Sequence, residues 1–146
     1  MKIAVACDHG GLELKNAISK FITDLGHEVE DFGTYTNDSV DYPDYASKAA
    51  LAVASGQVER GIVVCGTGIG VSIVANKIKG IRCALAHDTF SARATREHND
   101  TNMLALGQRV IGEGLALDIV KLWLETEFAG ERHMQRIEKM MSYEGE

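Results

Sequence analysis

The stretch GIVVCGTGIG, residues 61–70, decides how the rest of the chain is read. IVVC is a short apolar run rich in β-branched residues, the pattern of a strand buried on both faces. Gly66, Gly68 and Gly70 then alternate, and a helix-permissive segment follows. Strand, glycine turn and helix in that order place backbone N–H groups where an anionic oxygen can approach closely, with a helix N-terminus behind them. The spacing is neither GxGxxG nor GxxxxGK[ST], so neither a dinucleotide fold nor a P-loop is supported. The competing reading is a tight strand-to-helix turn that binds nothing.

The same unit recurs on both sides. IAVAC at 3–7 reads as a buried strand. Leu14, Ala17, Ile18, Phe21, Ile22 and Leu25 recur at helical spacing, and Gly26 ends that helix. HEVEDF at 27–32 alternates as a second strand, and 33–44, with the only Pro, reads as a loop. Tyr45, Ala46, Ala49, Ala50 and Val53 mark a second helix. Beyond the glycine turn, 71–77 is helical, IRCALA at 81–86 is a fourth strand, 90–97 is helical, and MLAL at 103–106 is a fifth strand. Leu115, Ile119, Leu122 and Trp123 stripe a helix over 112–128, and a charged, helix-permissive tail covers 131–143. Alternation of this kind predicts an α/β fold: a doubly wound five-stranded parallel sheet, Rossmann-like, with helices on both faces and a C-terminal helical tail. No linker or internal repeat divides residues 1–146, so one domain is expected. Ligands of such sheets bind beyond the carboxyl ends of the strands. The expected lining is therefore 8–10, 65–70, 87–88 and 107–109.

Composition narrows the function. The net charge is −6 over 146 residues, which gives no general attraction to nucleic acid or to anionic membranes. An anionic ligand then requires a local cluster of Arg or Lys. No apolar stretch is long enough to span a bilayer, and the MKIAVAC start is too short for a signal h-region. Cys7, Cys65 and Cys83 are odd in number and lack CxxC spacing, so neither a disulfide framework nor a zinc site is expected. A reducing cytoplasm is the expected compartment.

Cys65 ends the third strand and faces the glycine turn, where amide dipoles favour a thiolate able to act as base or nucleophile. Cys7 and Cys83 read as inert core residues. Thr67 can relay a proton or simply cap the helix. Asp8 and His9, after the first strand, can bind hydroxyls or phosphate, or form an N-cap with turn glycines. His98 and Asn99 close the fourth helical segment, where a His is commonly a surface residue favoured by the helix dipole. Arg109 follows the fifth strand. Arg132 and Arg136 lie one helical turn apart and can grip one phosphate or be a solvated basic face.

Six segments in order resemble the type B ribose-5-phosphate isomerase family, which includes the galactose-6-phosphate isomerase subunits. They are CDHGG at 7–11, DYPDYA at 41–46, CGTGIG at 65–70, ANKIKGIR at 75–82, HNDTNMLALGQRVIG at 98–112 and GERHMQRI at 130–137. The resemblance spans essentially the whole chain. It implies interconversion of ribose 5-phosphate and ribulose 5-phosphate through an enediolate, with no metal or organic cofactor. It also implies a homodimer, in some cases paired into a tetramer, whose phosphate site is shared between subunits.

By position, the resemblance makes Cys65 the base at the carbon beside the carbonyl and His98 the acid that opens the furanose. Thr67 assists proton movement between the oxygens, and the segment Gly66, Thr67, Gly68, Ile69 and Gly70 holds the enediolate through its amides. Asp8, His9 and Asn99 bind hydroxyls or phosphate, and Arg109, Arg132 and Arg136 form the phosphate site. His133 sits between the two tail arginines and can also approach the phosphate; its role is left open. One branch of the family carries a Glu near the helix start in place of the Cys. Gly70 and Val71 offer no carboxylate here, so this chain resembles the Cys branch. The expectation is that base, oxyanion donors and ring-opening acid converge at the carboxyl edge of one sheet. The rival substrates are allose or galactose 6-phosphate, and the rival class is a non-catalytic sugar-phosphate sensor.

Overall fold

The computed structural model describes residues 1–145. Five strands form one parallel sheet: β1 (Lys2–Cys7), β2 (Glu28–Asp31), β3 (Arg60–Cys65), β4 (Cys83–Leu85) and β5 (Met103–Gly107), in the order β2-β1-β3-β5-β4. The helices are α1 (Leu12–Asp24), α2 (Tyr42–Ala54), α3 (Ile69–Asn76), α4 (Thr89–Asn99), α5 (Glu113–Glu125) and α6 (Arg132–Met141), with a 3₁₀ turn at Ser142–Glu144. The doubly wound sheet and helical tail are as expected from the sequence.

Successive side chains of a strand point to opposite faces, and the two cores follow that alternation. Ile3, Val5, Ile62, Val64, Leu104 and Leu106 pack with α1, α5 and Ala92 of α4. Ala4, Ala6, Val63, Cys65 and Ala105 pack with α2 and α3. Alanines on both sides of that second layer, Ala46, Ala49 and Ala50 against Ala4 and Ala6, let α2 lie close to the sheet. Trp123 is fully buried in the first layer; its indole N–H donates to Thr101 Oγ1 at 3.0 Å, and the Arg60 guanidinium carbon lies 5.3 Å from its ring centre. The same guanidinium donates to the Trp123 and Leu124 carbonyls at 3.0 and 3.2 Å, satisfying the end of α5. Burial holds its pKa down to about 10.

Element boundaries differ in places. The expected loop 33–44 stops at residue 41, because Pro43 sits in the first turn of α2. Proline costs nothing there, since those N–H groups have no helical partner. α3 begins at Ile69 rather than 71, and β4 is only Cys83–Leu85.

The chain leaves β1 toward one edge of the sheet and β3 toward the other. The switch point, where open α/β sheets make their ligand crevice, therefore lies between the carboxyl ends of β1 and β3. Those ends are Cys7-Asp8 and Cys65-Gly66.

Candidate active site

Cys65 Sγ accepts the Gly68 N–H at 3.0 Å across the turn. The turn closes this tightly because of two backbone approaches. Gly68 has φ +79°, and a Cβ on it would lie 2.8 Å from the Leu106 carbonyl carbon. A Cβ on Gly107 would lie 2.6 Å from the Thr67 carbonyl oxygen. The loop thus rests on the end of β5, where Gln108 N–H donates to Cys65 O at 2.9 Å and Arg109 N–H to Gly66 O at 3.0 Å. Among the described residues, the amides of Gly66, Thr67 and Gly70 donate to no group of the chain. They lie in the same few residues as the sulfur, and unpartnered backbone donors are what an oxyanion needs.

An open cleft of about 450 Å³ lies over this turn, lined by Asp8, Tyr42, Cys65, Gly66, Thr67 and Ile73 among others. Asp8 Oδ1 accepts the Gly10 N–H at 2.8 Å, so it closes its own turn rather than capping α1. A Cβ on Gly10 would touch both Asp8 Oδ1 and the Gly66 nitrogen, at 3.2 and 3.1 Å, which puts those two groups side by side. His9 Nδ1 accepts the Val40 N–H at 3.1 Å; in the neutral ring that leaves the proton on Nε2. Thr67 Oγ1 accepts the Ile69 N–H at 3.2 Å; this is a local turn bond rather than a helix cap, since the N-cap of α3 is Gly68 and no side chain caps it, and the hydroxyl proton remains available. Arg109 lies over Gly66, its side chain 3.4–3.7 Å from where a Cβ would stand.

Tyr42 was not among the expected site residues. Its ring occupies the space a Gly70 Cβ would need, and it walls the cleft. Its sequence signal was Pro43 beside it, the mark of a helix start that carries Tyr42 to the site. Lys15 was also passed over, although it falls on the stripe of Ile18 and Ile22. It is buried, and Nζ donates to Asp31 Oδ1 at 2.9 Å and to Thr34 O at 2.6 Å, fixing the end of β2 and the loop after it against α1. Of the expected strand-end residues, His87 serves structure: its Nε2 accepts the Gly107 N–H at 2.9 Å.

His98 and Asn99 are elsewhere. α4 starts beyond the carboxyl end of β4 and runs back, so its last residues lie at the amino edge of the sheet. Asn99 O accepts from Nε of Arg82, the residue just before β4, at 2.9 Å. Eleven helical residues separate the two edges by about 16 Å. His98 is exposed and its ring stacks on that of His133, with centres 4.6 Å apart and planes 22° from parallel. Arg132 and Arg136 flank His133 on α6 and are exposed. The expected convergence of acid and base at one edge is therefore corrected. A single chain puts Cys65, Thr67, Asp8, His9 and Arg109 at the carboxyl edge. It puts His98, Asn99, Arg132 and Arg136 at the other end.

The larger cavity, about 530 Å³, lies between β4, α4 and the tail. Size does not make it the reaction centre, because its Arg82 and Asn76 side chains are already engaged. Arg82 bonds the Asn99 and Asp100 carbonyls, and the Asn76 amide pairs with the Cys83 backbone at 2.9 and 2.8 Å. Among the described residues no three His, Cys, Asp or Glu side chains gather as metal ligands, and no helix is long and apolar enough to cross a membrane.

Comparison with known proteins gives the family. A sequence profile described as Ribose/Galactose Isomerase matches residues 3–140. Ribose-5-phosphate isomerase B of Escherichia coli (strain K12) is 50% identical over 143 residues, 98% of this chain and 96% of that one. The galactose-6-phosphate isomerase subunit LacB of Clostridium acetobutylicum is 40% identical over 139 residues, 95% of this chain and 80% of that one. A solved structure of Clostridium thermocellum ribose-5-phosphate isomerase B superimposes with a TM-score of 0.97 at 56% identity, covering 99% of this chain and 97% of the other. The chain belongs to the ribose/galactose isomerase family.

Proposed function

We propose that this chain interconverts ribose 5-phosphate and ribulose 5-phosphate, and that each active site is completed by a second copy of the chain. The observation that carries the reading is the thiol of Cys65, set among unpaired amides at the switch point of the sheet. The similarity to ribose-5-phosphate isomerase B over nearly the whole length supports the substrate.

In this reading His98 protonates the ring oxygen and opens the furanose. Cys65 takes the proton from the carbon beside the aldehyde. The amides of Gly66, Thr67 and Gly70 hold the enediolate, where an oxyanion donor contributes most. Thr67 moves a proton between the two oxygens, and the proton returns to the terminal carbon to give the ketose. Asp8, His9 and Asn99 bind hydroxyls or phosphate. Arg109, Arg132 and Arg136 hold the phosphate.

A groove that needs both edges of the sheet requires two chains. The apolar rim supports this: Ile69 and Ile73 are half exposed at adjacent turns of α3, and Phe90 at the start of α4 is more exposed still. A two-fold pair would let each chain give its acid edge to the partner's base edge.

Mixing separately inactive Cys65→Ala and His98→Ala proteins tests this. Subunit exchange should restore about a quarter of wild-type activity toward ribose 5-phosphate, since half the dimers are mixed and each has one intact site. No recovery, with exchange confirmed by native mass spectrometry, would sink the shared site. No turnover of the wild-type protein, with sugar phosphates still binding, would leave a sensor. Preference for a six-carbon phosphate, the chemistry named in the LacB relative, would keep the mechanism and change the substrate.

A further inference from the structure

Neither the residue pattern nor the proposed chemistry gives His133 a task, yet it is one of the few buried polar side chains. We infer that His133 is a positioning residue for ring opening: its buried ring is the platform that fixes the exposed imidazole of His98 in its working orientation. This rests on the reading of His98 as the ring-opening acid.

The platform is built from backbone outward. The segment joining α5 to α6 is fastened to the last turn of α4 at two points. Arg96 Nε donates to Thr126 O at 3.1 Å, and Ala129 N–H donates to Glu97 O at 3.1 Å, one residue before His98. Arg96 is itself held by Asp100 Oδ1 and Thr101 O, at 2.9 and 2.7 Å. Gly130 and Glu131 then turn through positive φ, +70° and +52°. That sharp reversal brings the first turn of α6 over the end of α4. His133 N–H closes on Gly130 O at 3.1 Å, and its ring meets His98 at 4.6 Å.

An exposed histidine in the last turn of a helix is otherwise free to rotate, and among the described residues no side-chain hydrogen bond or other ring stack restrains this one. Burial, and then the charges of Arg132, His98 and Arg136, hold His133 below the usual imidazole range, with Glu131 opposing. A neutral ring can stay stacked while its neighbour gains and loses a proton.

The test separates ring opening from everything after it. Turnover of ribose 5-phosphate is measured for His133→Ala, His133→Phe and His98→Ala. In parallel, Kd is measured for an acyclic phosphorylated hydroxamate that mimics the enediolate and has no ring to open. The inference predicts that His133→Ala loses about 10- to 100-fold in kcat, the scale of a misplaced catalytic group. It also predicts that Kd for the acyclic mimic changes by less than about 3-fold, a fraction of a tenfold step. His133→Phe, which keeps a flat ring, should recover most of kcat. Unchanged kcat in His133→Ala overturns the inference. So does a parallel loss of mimic affinity, which would make His133 a phosphate contact or a general support of the fold. Failure of His133→Phe to recover kcat overturns it too. If His98→Ala itself turns over normally, it is the assignment of the acid that has failed.

Discussion

Cys7 and Cys65 end neighbouring strands in the same register region, and they have opposite surroundings. Cys7 points into the layer under α1 and α5; its thiol faces Thr34 O at 3.8 Å, and burial, partly offset by Lys15, pushes its pKa up to about 11. Cys65 points to the other layer, takes an amide hydrogen bond on sulfur, and lines an open cleft. One residue type at equivalent strand ends thus yields a sealed thiol and a presented one. The difference comes from strand parity and from the glycines that follow Cys65.

The comparison breaks most plainly under substitution. Cys65→Ala should lower kcat by about 10²–10⁴-fold, the value of a positioned base. Cys7→Ala should leave kcat within about 2-fold and cost only about 1 kcal/mol, as one buried group is lost. Steady-state kinetics with matched urea melts checks both, and a large kcat loss in Cys7→Ala would end the contrast. Alkylation sharpens it: iodoacetamide should modify Cys65, which lines the cleft, at least about 10-fold faster than Cys7, which is sealed in the core. Peptide mapping should show substrate protecting Cys65 alone. The smallest effect is on alkaline stability. A thiol whose folded pKa lies above its unfolded value keeps the folded state protonated longest. Its stabilisation is whole below about pH 8.5 and fades as pH rises toward 11. The loss should be about 2–3 kcal/mol at most, at about 1.4 kcal/mol per unit. Denaturant midpoints at pH 7.5 and 10.5 should lie closer together in Cys7→Ala than in the wild type. Burial of the Cys83 thiol, pushed up to about 12, adds the same sign.

The sequence carried the sheet, because β3 and its glycine turn repeat a pattern with few alternatives. It also carried the carboxyl-edge half of the candidate site: Cys65 ends a strand, and Asp8, Thr67 and Arg109 follow strands. The other half was misplaced by an avoidable step. His98 and Asn99 end a helix that precedes β5, so in a parallel sheet they belong to the amino edge. The alternation that predicts the fold also forbids one chain from joining them to Cys65. Tyr42 was lost because polar residues around Pro43 read as loop. His133 was not legible at all: its stacking depends on a positive-φ turn at Glu131, which no side-chain pattern announces.

The single tryptophan has a practical consequence. Trp123 is sealed in the layer opposite Cys65, with a cation against its ring and its N–H engaged. Its fluorescence is therefore a global gauge of folding that is blind to occupancy of the cleft. Unfolding titrations can be read optically in the presence of ligand without signal interference, and a spectral shift on adding sugar phosphate would report a change in the fold rather than a contact.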